Sequence, residues 1–218
     1  IIDGLSVDGT PDIIETWHEI SLKIKYKCEP DTGVYDAMNK GLDMATGDWL
    51  YFMGAGDEFY HDDILSELVN EGHLQGERIV YGSVHIRGDV GWAKDDNTYD
   101  GAFDLIKLLH KNICHQSIFY PLKVAREIGS YNQRYYVTAD WDYNLRCWAK
   151  YPFHYVDKII AWFIAGGVSS NAGDREFGED RAGNVIRYFG LDPWSPEFDK
   201  PGSPFYYLVL QYRETMRT

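Results

Sequence analysis

The sequence predicts an α/β fold, a mixed and mostly parallel sheet flanked by helices. Three observations carry this. Strand-like and helix-like segments alternate from Ile1 to Met53, as in a parallel sheet with helices packed on it. Val34, Met38, Gly41, Leu42 and Ala45 recur at helical spacing and give one apolar face. Trp49-Leu50-Tyr51-Phe52-Met53 is apolar without alternation, as expected of a strand covered on both faces.

The elements follow in order. Ile1–Thr10 is a strand end and a glycine-rich turn, with Pro11 at a helix start. Asp12–Ile20 is a helix, and Leu22–Lys27 alternates like a strand. Glu29-Pro30-Asp31-Thr32-Gly33 is turn chemistry ahead of the second helix, which Thr46-Gly47-Asp48 stops. After the apolar strand, Gly54-Ala55-Gly56 releases the chain and Asp57-Glu58 follows. Ligands of open α/β sheets sit past the carboxyl ends of strands, so this acidic pair is the first site candidate.

Asp62–Glu71 is helical, and Ile79–Ile86 is one or two strands broken at Gly82. Asp96–Gly101 superficially matches a calcium loop, but its twelfth position is Lys107 rather than Glu, so it is a surface turn. Ala102–Leu109 is a helix, Phe153–Ile164 a strand and Ala182–Phe189 a helix. Asp174–Asp180 is acidic, either a mobile lid or simply solvated. Asp192–Pro204, with four prolines, marks a linker. Phe205–Arg217 is an aromatic amphipathic helix that packs on the core, pairs with a second subunit or lies on a membrane surface. The expected organisation is a domain over 1–190 and a C-terminal linker and helix over 191–218.

Composition narrows the partners. A formal charge of −13 argues against nucleic acid and against docking on anionic lipid by charge alone. The 17 Tyr and 7 Trp suit sugar-binding walls and equally suit plain cores. Cys28, Cys114 and Cys147 form no CxxC pattern and fit reduced, buried thiols of a cytoplasmic protein. No run is apolar for long enough to span a membrane, and the residues carry no signal-peptide pattern.

Several segments together resemble glycosyltransferase family 2. Asp31–Gly41 (DTGVYDAMNKG) is similar to a "DKGIYDAMNKG" run, and Thr46–Tyr60 to "ATGDxxxFLNADDxFY". Ile1–Thr10 (IIDGLSVDGT) resembles "VIDGGSTDGT", Asn112–Pro121 the family's "HQ" segment, and Tyr131–Trp148 its "FDExFxxxxDYDLxLR" pattern. Gly166-Gly167-Val168-Ser169-Ser170 resembles a "GGVS" loop near the diphosphate. The likeness covers most of the chain to about residue 170. It implies a GT-A fold and a strand, loop and helix ahead of Ile1.

The resemblance implies inverting transfer from a nucleotide-diphosphate sugar to a glycan or lipid-linked hydroxyl in polysaccharide biosynthesis. Asp3, Asp31, Asn39 and Gly56 would serve the nucleotide, and Asp57 would hold Mg²⁺ or Mn²⁺. Asp140, opening a helix where an anionic carboxylate is favoured, would be the catalytic base. Its structural alternative is a plain N-cap. His115 and Gln116, with Asp142, would lie on the acceptor side. Two departures stand out: Gly56 replaces the first of two adjacent aspartates, and Ala139 stands where many members carry Glu. They keep a second reading open, a non-catalytic nucleotide-sugar or glycan-binding module with a degenerate metal site. The implied location is cytoplasmic, at most peripheral at the inner face of the membrane, with the C-terminal helix available for dimer or membrane contact.

Overall fold

A computed structural model describes residues 1–20, 23–167 and 173–217. A short parallel pair opens the fold, β1 (Ile2–Asp3) against β2 (Lys27–Cys28), joined through α1 (Thr10–Ile20). Both β2 residues are exposed, so little burial rewards a longer ladder. The strand expected from Leu22 therefore shrinks to two residues, and Leu22 itself lies outside the described residues.

The main sheet holds six strands. Its order is β3 (Trp49–Leu50), β7 (Ile118–Pro121), β5 (Ile79–Arg87), β8 (Phe153–Ile164) and β4 (Glu58–Phe59), with β6 (Thr98–Tyr99) paired to the far half of β5. Parallel pairing joins β1 to β2 and β5 to β8, and the other ladders are antiparallel. The fold is α/β with a mixed sheet.

β5 is the axis of the sheet, and its first six residues are all buried. The break expected at Gly82 appears instead as a shift of register against β8, between Tyr81 and Ser83. A Cβ on Gly82 would lie 2.5 Å from the Lys158 carbonyl oxygen, so only glycine lets the two backbones approach this closely.

Two expectations around the sheet change. The apolar run Trp49–Met53 pairs only over Trp49 and Leu50, and Met53 is exposed. Continuing the register would set Met53 opposite Ser117, which is coiled in a 3-10 turn, His115–Ser117, and offers no extended partner. Residues 98–99, expected in a surface turn, form an edge strand because the Tyr99 hydroxyl donates to the Asn112 carbonyl oxygen at 2.7 Å and draws the segment in.

Helices cover both faces. On one side α2 (Val34–Met44), α4 (Leu105–His110), α5 (Leu122–Ile128), α6 (Ala139–Trp148) and α7 (Arg175–Tyr188) contribute to the larger core. α3 (Ile64–Asn70) caps the other face with Ile64 and Leu68. α2 buries Tyr35, Met38, Asn39 and Leu42, the stripe its periodicity predicts. The acidic stretch from Asp174, expected as a lid or solvated segment, is the start of α7, which begins seven residues earlier than its apolar pattern suggested.

The proline-rich segment 192–204 is not a loose linker. Phe198 is buried against Ile186 of α7 and Val209 of α8 (Tyr206–Thr215). Arg213 donates to the carbonyl oxygens of Pro193 at 2.6 Å and Ser195 at 3.1 Å, and pairs with Asp199. Leu208 also reaches the main core, so α8 packs on the body of the protein through one face. Of the three cysteines, all free, Cys147 is buried while Cys28 is exposed, because β2 lies at the surface. Among the described residues no helix is long and apolar enough to cross a membrane.

Candidate functional site

Four segments distant in sequence deliver side chains to one place. The first turn of α2 brings Tyr35, the turn after β3 brings Asp57, the 3-10 turn ahead of β7 brings His115 and Gln116, and the first turn of α6 brings Asp140. Asp57 folds back so that its Oδ2 accepts from the Gly54 N–H at 2.7 Å. Gly56 allows that turn with a φ of +91°, a left-handed conformation strained for any residue with a Cβ. An aspartate there would disturb the turn that aims Asp57.

His115 stands between the two carboxylates. Its Nε2 is 4.0 Å from Asp57 Oδ2 and its Nδ1 is 3.7 Å from Asp140 Oδ2. The Gln116 Nε2 donates to Asp57 Oδ1 at 3.3 Å. Asp140 Oδ1 accepts from the Trp141 N–H at 2.8 Å and lies 3.2 Å from the Tyr35 hydroxyl, which also donates to the Val137 carbonyl oxygen at 2.6 Å. Burial first, then the Asp140 charge, pushes the Tyr35 hydroxyl pKa well up, so it stays a donor. The Asp57 and Asp140 side chains are 15% and 13% exposed, shielded but reachable.

Two cavities meet here. A groove of about 530 Å³ runs from Ile1 and Ile2 along α2 to Gly54, Ala55 and His115. A second cavity of about 270 Å³ is lined by His115, Gln116 and Asp140 together with aromatic rings, His110 and Lys111. His115 lines both.

The other sequence-predicted residues make their hydrogen bonds elsewhere. Asp3, on β1, accepts from the Ser6 hydroxyl at 2.6 Å, the Ser6 N–H at 3.0 Å, the Tyr26 hydroxyl at 2.9 Å and Cys28 Sγ at 3.5 Å. The Ser6 hydroxyl above all holds the Asp3 carboxyl below the ordinary carboxylate range. Asp31 accepts from the Gly33 N–H at 3.0 Å and sits against Gly4, the residue after Asp3. Asn39 exchanges two hydrogen bonds with the Tyr131 backbone, at 2.7 and 3.1 Å, and so ties α2 to the segment leading into α6. Asp142 is 1% exposed and faces α7, accepting from Arg146 Nε at 3.1 Å, the Tyr188 hydroxyl at 2.7 Å and Asn184 Nδ2 at 3.3 Å. Ala139 is fully buried in the main core, where a glutamate would have no room beside Asp140. Gly166 and Gly167 are described, while Val168, Ser169 and Ser170 lie outside the described residues.

Two contributors escaped the sequence reading. Tyr35 lies at i−3 from Met38, so helical spacing already placed it on the buried face of α2. Asp174 carried no local signal. Its carboxylate accepts from the N–H groups of Tyr136, Val137 and Thr138 at 2.9, 2.7 and 2.6 Å and from the Thr138 hydroxyl at 2.8 Å. It thereby fixes the turn that starts α6, 36 to 38 residues before it, and with it Asp140.

For a divalent cation, Asp57 offers one carboxylate. Gln116 has a buried amide oxygen that lacks a hydrogen-bond partner among the described residues. Such hard oxygen donors suit Mg²⁺ or Mn²⁺. Among the described residues there is no group of three or more His, Cys, Asp or Glu side chains arranged to hold a metal.

Comparison with known proteins is consistent with this geometry. The family model described as glycosyl transferase family 2 matches residues 1–122. The chain is 40% identical over 184 residues to a PGL/p-HBAD biosynthesis glycosyltransferase of Mycobacterium tuberculosis, covering 81% of this chain and 69% of that one. An uncharacterized glycosyltransferase of the same organism is 29% identical over 133 residues, covering 56% and 46%. Among solved structures, S. aureus TarS 1-349 in complex with UDP superposes with a TM-score of 0.59 at 13% identity, covering 96% of this chain and 60% of that one. The mannosyltransferase PcManGT from Pyrobaculum calidifontis, in complex with GDP-Man and Mn2+, gives a TM-score of 0.57 at 15% identity, covering 97% and 58%. At these identities the structural likeness speaks for the fold alone, and this chain spans under two thirds of either solved chain.

Proposed function

This chain belongs to glycosyltransferase family 2, and on that premise we propose that it transfers a sugar, with inversion, from a nucleotide-diphosphate sugar to an acceptor hydroxyl. The acceptor is a glycan or lipid-linked molecule in the assembly of a polysaccharide or glycolipid. The observation that carries the reading is the His115-bridged pair Asp57 and Asp140 between two cavities. Relatives named for PGL/p-HBAD biosynthesis and a fold shared with UDP- and GDP-Man-bound proteins support it.

In this mechanism the groove along α2 takes the donor and the smaller cavity takes the acceptor. Asp140 Oδ2 accepts the acceptor's hydroxyl proton as its oxygen attacks the anomeric carbon. The new carbon–oxygen bond forms as the bond to the diphosphate breaks, and the nucleotide diphosphate leaves with the electron pair. Tyr35 and the Trp141 N–H hold Asp140 Oδ1, which leaves Oδ2 toward the acceptor. His115 keeps the two carboxylates apart and lines both cavities. Asp57 and Gln116 would hold Mg²⁺ or Mn²⁺, and the bound ion would neutralise charge on the departing diphosphate.

With one protein carboxylate at that position, diphosphate oxygens and waters would fill the rest of a metal's shell. Titration calorimetry is therefore expected to detect Mn²⁺ binding only when a nucleoside diphosphate is present. Tight Mn²⁺ binding to the free protein contradicts this reading. A thermal-shift panel of UDP-, GDP- and dTDP-sugars, with and without Mn²⁺, identifies the donor. The turn at Gly56 and the single carboxylate also favour the alternative of a non-catalytic binder, which lacks the slow, metal-dependent donor hydrolysis expected of a transferase. The reading assigns the enzyme to the cytoplasm, at most peripheral at the inner membrane face. There α8, with Tyr207 exposed on it and Met216 exposed just past its end, is the element to meet lipid or a second subunit.

A further inference from the structure

We propose that the cavity beside the bulged middle of β8 is a second saccharide-binding site, separate from the Asp57–Asp140 centre, and that it holds a neutral glycan. The inference goes beyond the transferase reading and stands without it, since it concerns binding alone.

This cavity, of about 450 Å³, lies where α3, the end of β4 and the middle of β8 meet, and none of its described lining residues belongs to the two cavities at His115. Sites for small molecules typically measure about 300–1,000 Å³. Two features of the chain open it. β4 pairs with β8 over Ala161 and Trp162, and the Tyr60 N–H then donates to the Ile160 carbonyl oxygen at 2.9 Å before the chain turns off into α3. β8 also bulges. Between the pairs Tyr81↔Tyr155 and Ser83↔Ile159, the single residue Gly82 faces Val156, Asp157 and Lys158. The extra residues take Asp157 and Lys158 out of the ladder and put them on the cavity wall, the re-aiming of side chains that a bulge allows. The same bulge breaks the flat edge that an added peptide strand would need.

One wall is a directed chain of hydrogen bonds. The Gly101 N–H donates to Ser83 Oγ at 3.2 Å, Ser83 Oγ is 3.3 Å from the Tyr155 hydroxyl, and that hydroxyl donates to Asp157 Oδ1 at 3.2 Å. Burial above all raises the Tyr155 pKa, so the phenol keeps its proton and remains the donor. Asp157 is thus held from within by one oxygen, and its other oxygen has no hydrogen bond among the described residues. Tyr60 supplies a ring to another wall. Trp162, His85 and His61 set its position, at 5.0, 5.8 and 6.1 Å between ring centres.

These groups select by charge and shape. Lys158 Nζ is taken by Glu67 at 2.8 Å and Glu71 at 3.0 Å, and His61 Nε2 lies 3.8 Å from Glu67. The cations of the described walls are therefore already paired, and Asp157 repels an anionic ligand. A wholly apolar ligand would strip water from the Asp157 carboxylate without replacing its hydrogen bonds. A pyranose meets both demands. Its C–H face lies against an aromatic ring such as Tyr60, and its rim hydroxyls donate to a carboxylate oxygen such as Asp157 Oδ2.

Calorimetry on the full chain tests the site with maltotetraose, cellotetraose and mannotetraose, and with spermidine and inorganic phosphate as charged probes. The expected result is that at least one tetrasaccharide binds. Asp157→Ala and Tyr60→Ala are each expected to weaken that binding about tenfold, the loss of one contact, while Tyr60→Phe and Asp140→Asn retain it. Asp157 is exposed, so its replacement tests the site without disturbing the core. Failure of all three tetrasaccharides to bind overturns the inference. So does binding that either Asp157→Ala or Tyr60→Ala leaves intact, or that Asp140→Asn abolishes. Binding of spermidine or phosphate in place of the saccharides overturns it as well. Donor hydrolysis, by which the transferase reading is judged, is measured separately, so the two readings fail independently.

Discussion

Asp140 and Asp142 lie two residues apart on α6 and live in opposite surroundings. Two positions on a helix differ by about 200° around its axis, so one faces the cleft and the other faces α7. Asp142 is buried and takes donors from Arg146, Tyr188 and Asn184. Asp140 has one oxygen held by Tyr35 and the Trp141 N–H, while its other oxygen lies 3.7 Å from His115 Nδ1. The first arrangement spends a carboxylate on joining two helices. The second holds a carboxylate still and leaves it chemically available. Asn39 and Asp3 belong with the first kind, since their polar atoms are engaged within the protein.

The sharpest way to break this contrast is to neutralise each aspartate. Asp140→Asn is expected to lower kcat by about 10²–10⁴-fold with donor binding kept, the range for loss of a general base. Unchanged turnover removes Asp140 from the chemistry. Asp142→Ala leaves Arg146, Tyr188 and Asn184 without their shared acceptor. It is expected to cost about 3 kcal/mol, a fall of roughly 10 °C in Tm by calorimetric unfolding. If Asp142→Ala instead left Tm unchanged while abolishing turnover, the two roles would be reversed.

Smaller effects sharpen the comparison. Asn39→Ala orphans the buried N–H and carbonyl of Tyr131 and is expected to lose about 2 kcal/mol of stability in urea titrations. Tyr35→Phe leaves the Trp141 N–H to hold Asp140 Oδ1 without removing the ring from the core. It is expected to reduce kcat about tenfold with a Tm within a few degrees of the parent. The smallest effect concerns pH. Because the folded Asp3 carboxyl lies below its usual range, its contribution is present above the unfolded value, about 3.9. That contribution is lost as pH falls through the lowered folded value. Ser6→Ala removes the largest cause, so acid unfolding followed by circular dichroism is expected to begin at a higher pH than in the parent.

Much of this was legible in the residues themselves. Period and punctuation marked α2 and β8, the resemblance to a family pattern marked the start of α6, and the acidic turn after β3 followed from its place past a strand end. Gly56 and Ala139, odd as departures from a family pattern, acquire reasons only in three dimensions. One bends the chain through a left-handed turn so that Asp57 meets the Gly54 N–H, and the other fills the core. The extent of β3, the docking of α8 and the start of α7 also depended on neighbours far along the chain.

By itself the sequence determined several of the helices and strands, α2 and β8 among them, because periodicity and turn chemistry act over a few residues. It also supplied the carboxylates and the imidazole. Only tertiary structure decided which of them face one another. His115 comes between Asp57 and Asp140 because the turn after β3, the turn before β7 and the first turn of α6 meet in one place. Asp174 reaches back to fix the turn before α6 because α7 packs against it. Such contacts join positions tens of residues apart, and no local pattern encodes the packing that closes those distances.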